Sequence, residues 1–306
     1  MPDAFHSAKP FIRRNLSFGG TICAGAVLLI ASSAQAQNLF VANFTSGNIT
    51  EITPGGVQST FVSGLGADVP AELAFNSAGN LFVSEGSLGG KIIEITPGEV
   101  QTIFASGLSD PVGLAFNSTG NLFVADNELG NIYEYTSSGV RSTFASGLAS
   151  SPVNGPYALA INSANDVFVT SPNSGTITEI TSGGVQSTFA SGLYMPTALA
   201  FNSAGDLFVA DYSGHIYEFT PGGVQSIFAS GTFYPWGLAF NSAGDLFEAD
   251  YSGHIYEFTL GGVQSTFASG LNDPIGLAFQ PVPEPSALGL VAVGATALLV
   301  NRRRRY

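Results

Sequence analysis

From residue 38 to residue 279 the apolar positions fall into runs of five or six residues, each closed by a Gly-, Asn- or Pro-Gly-rich break. Between Asp206 and Phe240 the runs are LFVAD (207–211), HIYEF (215–219), VQSIFA (224–229) and PWGLAF (235–240). Short runs rich in Phe, Val, Ile and Tyr, bounded by turn residues, are strands. A helical solenoid would need apolar residues every three or four positions over longer spans, and none occurs. The LFVAD-like run recurs at Leu39, Leu81, Leu122, Val167, Leu207 and Leu246, at intervals of 42, 41, 45, 40 and 39 residues. Four short strands with their turns occupy about 40 residues, the size of a propeller blade.

We name the strands a (PxGLAF), b (LFVAD), c (HIYEF) and d (VQSTFA). Strand a recurs at 71–75, 112–116, 157–161, 197–201, 236–240 and 275–279. The repeats open on a b strand at Leu39 and end on an a strand at Phe279. Five blades are therefore continuous, and the sixth must join the first b, c and d strands to the last a strand. Such closure removes open sheet edges. The pattern predicts an all-β chain with one six-bladed β-propeller over residues 37–281, closed by pairing the C-terminal a strand with the N-terminal b strand.

Meander topology places the a–b and c–d turns on one face and the b–c and d–a loops on the other. The a–b turns (NSAGN, NSTGN, NSAND, NSAGD) and c–d turns (TPGGV, TSGGV) barely vary and read as structural. The b–c and d–a loops are diverse, so any ligand is expected there. The order PxGLAF, Gly turn, LFVAD resembles the NHL repeat and related six-bladed propellers, the gluconolactonase/regucalcin-like superfamily included. The resemblance implies a fold, and that fold hosts unrelated chemistries.

Both ends carry address signals. Residues 1–36 read as a helical signal peptide: basic Lys9, Arg13 and Arg14, an apolar run from Ile22 to Ala31, then Ala34 and Ala36 at the positions signal peptidase reads. The C-terminal segment 282–306 has three parts: Pro283-Glu284-Pro285, an apolar segment at 287–300 read as a transmembrane helix, and Arg302, Arg303, Arg304 and Arg305. A Pro-Glu-Pro segment is stiff and extended, and an arginine block holds its end of a span on the cytoplasmic side. These parts, in this order, resemble the PEP-CTERM sorting signal of exopolysaccharide-producing Gram-negative bacteria. That resemblance implies recognition by an exosortase, transient anchoring in the inner membrane, and delivery to the cell surface or extracellular matrix.

Charge narrows the partners. Residues 37–281 hold 20 acids against Lys91 and Arg141, leaving that region at −18. Nucleic acid is excluded, since phosphate must be neutralised by Lys or Arg. The permitted partners are divalent cations, Ca²⁺ foremost, and neutral polymers such as exopolysaccharide, or other matrix proteins. Cys23, the single cysteine, falls in the leader, so no disulfide is expected in the mature chain.

Candidate chemistry follows from position. Two residues after the Pro of strand a the chain has Glu72, Gly113, Ala158, Ala198, Gly237 and Gly276, one carboxylate among small residues. Glu72, with Asp126, Asp211 and Asp250 at the start of b–c loops and Asn154 in the longest d–a insertion, offers oxygen ligands of the kind Ca²⁺ takes. Gluconolactonase-like propellers hold a catalytic divalent metal near this place, and a metal-dependent hydrolase or lyase is the alternative to a binding or scaffold role. Tyr194, Tyr234 and Trp236, with Tyr212, Phe233 and Tyr251, form an aromatic set suited to stacking on sugars. His215 and His254 lie in segments 205–231 and 244–270, which differ at only three of 27 positions, so the second is read as a copy of the first. The glutamate repeated in strand c (Glu51, Glu94, Glu134, Glu179, Glu218, Glu257) is read as structural, bonding between blades or at the outer surface. Glu248 replaces a valine found in the other repeats. No Walker loop, zinc-ligand spacing or nucleophile elbow is present.

Overall fold

The computed structural model describes residues 37–65, 70–86, 89–149 and 155–282. The expected helical leader and the apolar C-terminal helix lie outside them. Among the described residues no helix is long and apolar enough to cross a membrane. They form six sheets of four antiparallel strands, and all six b strands begin at the residues read from the sequence. Blades 1 to 5 follow chain order from Pro70. Blade 6 is the closing sheet, ordered Pro274–Phe279, Leu39–Asn43, Asn48–Ile52, Gln58–Val62. In it Phe279 opposes Leu39 and Leu277 opposes Val41. The seam is tied further by Gln280 N–H donating to Asn38 O at 3.0 Å and Gln37 Nε2 donating to Gln280 O at 2.8 Å.

The b strands are buried on both faces, which is why they read as unbroken apolar runs rather than an alternation. Each blade docks on the next through phenylalanine. Phe208 of strand b meets Phe228 of its own strand d and Phe240 of the next blade's strand a, edge to face, both at 5.0 Å. The joint recurs at Phe40, Phe82, Phe168 and Phe247. Edge-to-face pairs at this spacing are favourable beyond their buried area.

Small residues let the innermost strands approach. A Cβ built on Gly237 would lie 2.3 Å from Ile275 O, and one on Gly276 would lie 2.6 Å from Ala71 O. In blades 1, 2, 4, 5 and 6 the a–b register slips just after the proline, a bulge that bends the inner strand where it reaches the b–c and d–a loops. Blade 3 has the shortest a strand, Leu159–Ile161, two residues less than the sequence suggested. There Ala158 N–H turns to Thr170 Oγ1 at 2.9 Å.

Three of the repeated strand c glutamates, Glu51, Glu94 and Glu134, bond within their own blades rather than between blades. Asn80 Nδ2 donates to Glu94 Oε1 at 2.7 Å, and Asn38 and Asn121 do the same for Glu51 and Glu134. In blade 5 the partner position is Asp245, and burial together with that like charge raises the Glu257 pKa.

Candidate functional site

The last residue of each strand b decides what the loop face can offer. Asn43, Glu85, Asp126, Ser171, Asp211 and Asp250 are all buried. Asp211 Oδ1 accepts from Ser213 N–H at 3.1 Å, Ser213 Oγ at 2.5 Å and His215 N–H at 3.3 Å. Asp250 repeats this with Ser252 and His254. Asp126 accepts from Ser109 N–H at 2.9 Å and from Asp110 N–H at 3.2 Å, pinning the preceding d–a loop. Glu85 is paired with Lys91 at 2.8 Å. Asp126, Asp211 and Asp250 thus satisfy backbone N–H groups of the loops beside them, each in its own place. Among the described residues no three His, Cys, Asp or Glu side chains gather to hold a metal. Asn154 lies outside the described residues.

The inner mouth is different. Glu72 sits on the free inner edge of blade 1, its Oε1 accepting from Leu73 N–H at 3.1 Å, with Leu277 N–H of blade 6 as a second donor. Burial outweighs these bonds and pushes its pKa up to about 8. The side chain is half-buried in area yet walled by protein, and the desolvated carboxyl holds its proton at neutral pH. Tyr157 of blade 3 senses it: its phenol is driven above the usual range by burial first and then by the Glu72 charge. The Tyr157 ring lies 6.0 Å from Trp236 of blade 5, two blades away. Trp236 in turn lies 6.1 Å, edge on, from Tyr212, which stacks on Tyr234 at 4.2 Å and 18°. Phe233 is 4.4 Å from Tyr234. Trp236 Nε1 is buried with no hydrogen-bond partner. An apolar platform therefore runs from the inner wall to the rim, ending at exposed Phe233, with Tyr194 and Tyr251 exposed beside it.

The platform is held by strained loops. Met195, Tyr234 and Asp273, each just before the proline of a strand a, have φ of 50°, 51° and 52°. That left-handed region costs a non-glycine residue of order 1 kcal/mol and marks a loop fixed by its surroundings. What fixes these loops is the b–c loop: Tyr212 N–H donates to Tyr194 O at 3.0 Å, Tyr251 N–H to Phe233 O at 3.3 Å, and Phe44 N–H to Asp273 O at 3.0 Å.

Of the residues singled out from sequence, the fold brings Tyr212, Phe233, Tyr234 and Trp236 together and leaves Tyr194 and Tyr251 on the adjoining rim. Tyr157 was missed. Its signal was present, since the position after the strand a proline is aromatic only in blades 3 and 5 (Ala71, Val112, Tyr157, Thr197, Trp236, Ile275). His215 and His254 each bond their own serine and stack on Tyr217 and Tyr256, both with centroids at 5.6 Å. They serve separate blades and form no pair. Glu248 is fully buried in strand b of blade 5, and neither carboxyl oxygen has a partner.

Residues 281–305 match the PEP-CTERM protein-sorting motif. The PEP-CTERM motif marks the chain for export and C-terminal sorting and implies processing by an exosortase. The propeller that precedes this motif in sequence is similar in fold to a chain of a nidogen/laminin complex (TM-score 0.71, 18% identity, 81% of this chain and 99% of that one). Virginiamycin B lyase from Staphylococcus aureus is also similar (TM-score 0.61, 15% identity, 81% and 92%). So is a streptogramin B lyase (TM-score 0.62, 15% identity, 82% and 96%). At these identities the likeness is one of fold. A comparison with curated proteins gives no match.

Proposed function

We propose that this PEP-CTERM propeller is a binding module of the cell surface or extracellular matrix that takes polysaccharide at its inner mouth. The observation that carries the reading is the continuous aromatic platform of Tyr157, Trp236, Tyr212, Tyr234 and Phe233, with the unpartnered Trp236 Nε1 beneath it. Aromatic faces stack on the apolar faces of sugars, and polar edges take their hydroxyls. Glu72, protonated at neutral pH, adds a hydrogen-bond donor and no charge to the wall. The strongly acidic surround turns away anionic polymers and favours neutral ones.

Anchoring in the inner membrane would be transient, and the tail's removal would release the propeller outward. The test is retention of the full-length protein on immobilised neutral polysaccharides, with Trp236→Ala and Tyr234→Ala alongside. We expect each variant to lose at least tenfold in affinity, about 1.4 kcal/mol, at an unchanged fold. Wild-type retention by both variants would overturn the reading.

A further inference from the structure

Away from the mouth, the closing blade has a second opening. Where blade 6 faces blade 5, a cavity of about 210 Å³ is lined by Asn43, Asn48, Thr50, Gln58, Thr60 and Asn272. None of the lining residues carries a charge, on a propeller region at −18. Such a lining offers a cation no anionic ligand and an anion no counter-charge, while amides and hydroxyls offer both donors and acceptors.

The opening has a cause in the repeat. At the third position of strand c, blades 2, 4 and 5 carry Tyr133, Tyr217 and Tyr256, on which Arg141, His215 and His254 lie. Blade 6 has Thr50 there, paired across to Thr60; blade 3 has the same pair in Thr178 and Thr188, but carries Ser171 and Thr176 where blade 6 has the asparagines Asn43 and Asn48. The space that a phenol ring fills in those blades is thus left as a groove.

Its walls are set in advance. Asn43 Nδ2 donates to both Asn48 Oδ1 and Thr50 Oγ1 at 2.9 Å, and Ser46 Oγ to Asn48 Oδ1 at 3.0 Å. Gln58 Nε2 crosses to Ser269 O of blade 5 at 3.0 Å. These bonds fix the outward-facing groups. Among the described residues no protein atom bonds Asn48 Nδ2, Gln58 Oε1 or Thr60 Oγ1, and Asn43 Oδ1 is buried without a partner. Phe44, in the same b–c loop as Asn43, is exposed. Fixed, uncharged donors and acceptors beside an exposed ring suit a molecule that presents many hydroxyls and no charge.

We infer that the groove between blades 5 and 6 is a binding subsite for a neutral saccharide unit, built by Thr50 together with Asn43 and Asn48 and separate from the aromatic mouth. Thr50→Tyr is the informative variant, because three blades of this protein already accommodate tyrosine at that position. Binding of full-length wild type, Thr50→Tyr, Gln58→Ala and Trp236→Ala is measured by calorimetry and saturation-transfer NMR. The probes are maltohexaose, cellohexaose and mannohexaose, with an alginate hexamer as the anionic control. The expected result is millimolar or tighter binding of a neutral hexamer, weakened at least tenfold in Thr50→Tyr with an unchanged melting curve, and a contribution that persists in Trp236→Ala. The inference is overturned if no neutral hexamer binds at millimolar concentration, if Thr50→Tyr binds like wild type, or if alginate is preferred. Loss of binding in Trp236→Ala alone would place the ligand at the mouth and remove the groove from consideration.

Discussion

Replacing Glu248 by valine restores the residue that the other blades carry at the third position of strand b: Val41, Val83, Val124, Val169 and Val209. The site is fully buried, with Leu238 and Tyr256 opposite on the flanking strands, and both carboxyl oxygens are unpartnered. Blade 4 is a ready control, because its near-identical segment holds Val209 between Leu199 and Tyr217. An unsatisfied buried polar group costs about 1–3 kcal/mol, and the valine methyls add burial of about 0.8 kcal/mol per carbon. Glu248→Val should therefore stabilise the propeller by roughly 2 kcal/mol in acid, where the carboxyl is neutral in both states, which for a domain of this size raises Tm by about 4–8 °C.

The pH profile separates this cause from packing. Burial, and then the Asp250 charge, raise the Glu248 pKa well above the ordinary 4.5. The folded state then holds a proton that the unfolded state releases, so the Glu248 contribution to wild-type stability falls as pH rises above about 4.5, by at most about 1.4 kcal/mol per unit. The advantage of Glu248→Val should grow over that range and be smallest in acid. Glu248→Gln should flatten the same slope with less gain, since it leaves an unpartnered amide. Denaturant titrations from pH 4 to 8 read both quantities. A valine variant less stable than wild type, or an advantage that does not change with pH, would refute the reasoning.

Glu72 predicts a second slope: with a folded pKa of about 8 against 4.5, its stabilising contribution is complete below pH 4.5 and lost as pH approaches 8. Glu72→Gln should remove that dependence in the same titrations. Phe247→Ala, at the joint between Phe267 and Phe279, should cost about 3–5 kcal/mol, seen as a cooperative melt at much lower temperature. Leu260, exposed in a c–d turn where Pro54, Pro97 and Pro221 stand in other blades, should accept proline with a gain of about 0.4–1 kcal/mol in chemical unfolding.

Strand positions, blade number and the join of Leu39 to Phe279 were all legible in the chain, because each rests on local spacing repeated six times. The uniform turns were legible for the same reason: Asn76, Asn117, Asn162, Asn202 and Asn241 each accept from the backbone two and four residues on. The fate of polar side chains was not. Asp126, Asp211 and Asp250 look like displayed ligands in sequence, yet folding turns them inward onto backbone N–H groups. Tyr157 and Trp236 are 79 positions apart and meet only because the ring curves their strands around one axis. The groove at Thr50 likewise exists only between two blades that the closure makes neighbours. Periodicity along a chain encodes which segments pair. Whether a side chain spends its hydrogen bonds locally or offers them to a ligand depends on what the closed ring places opposite it.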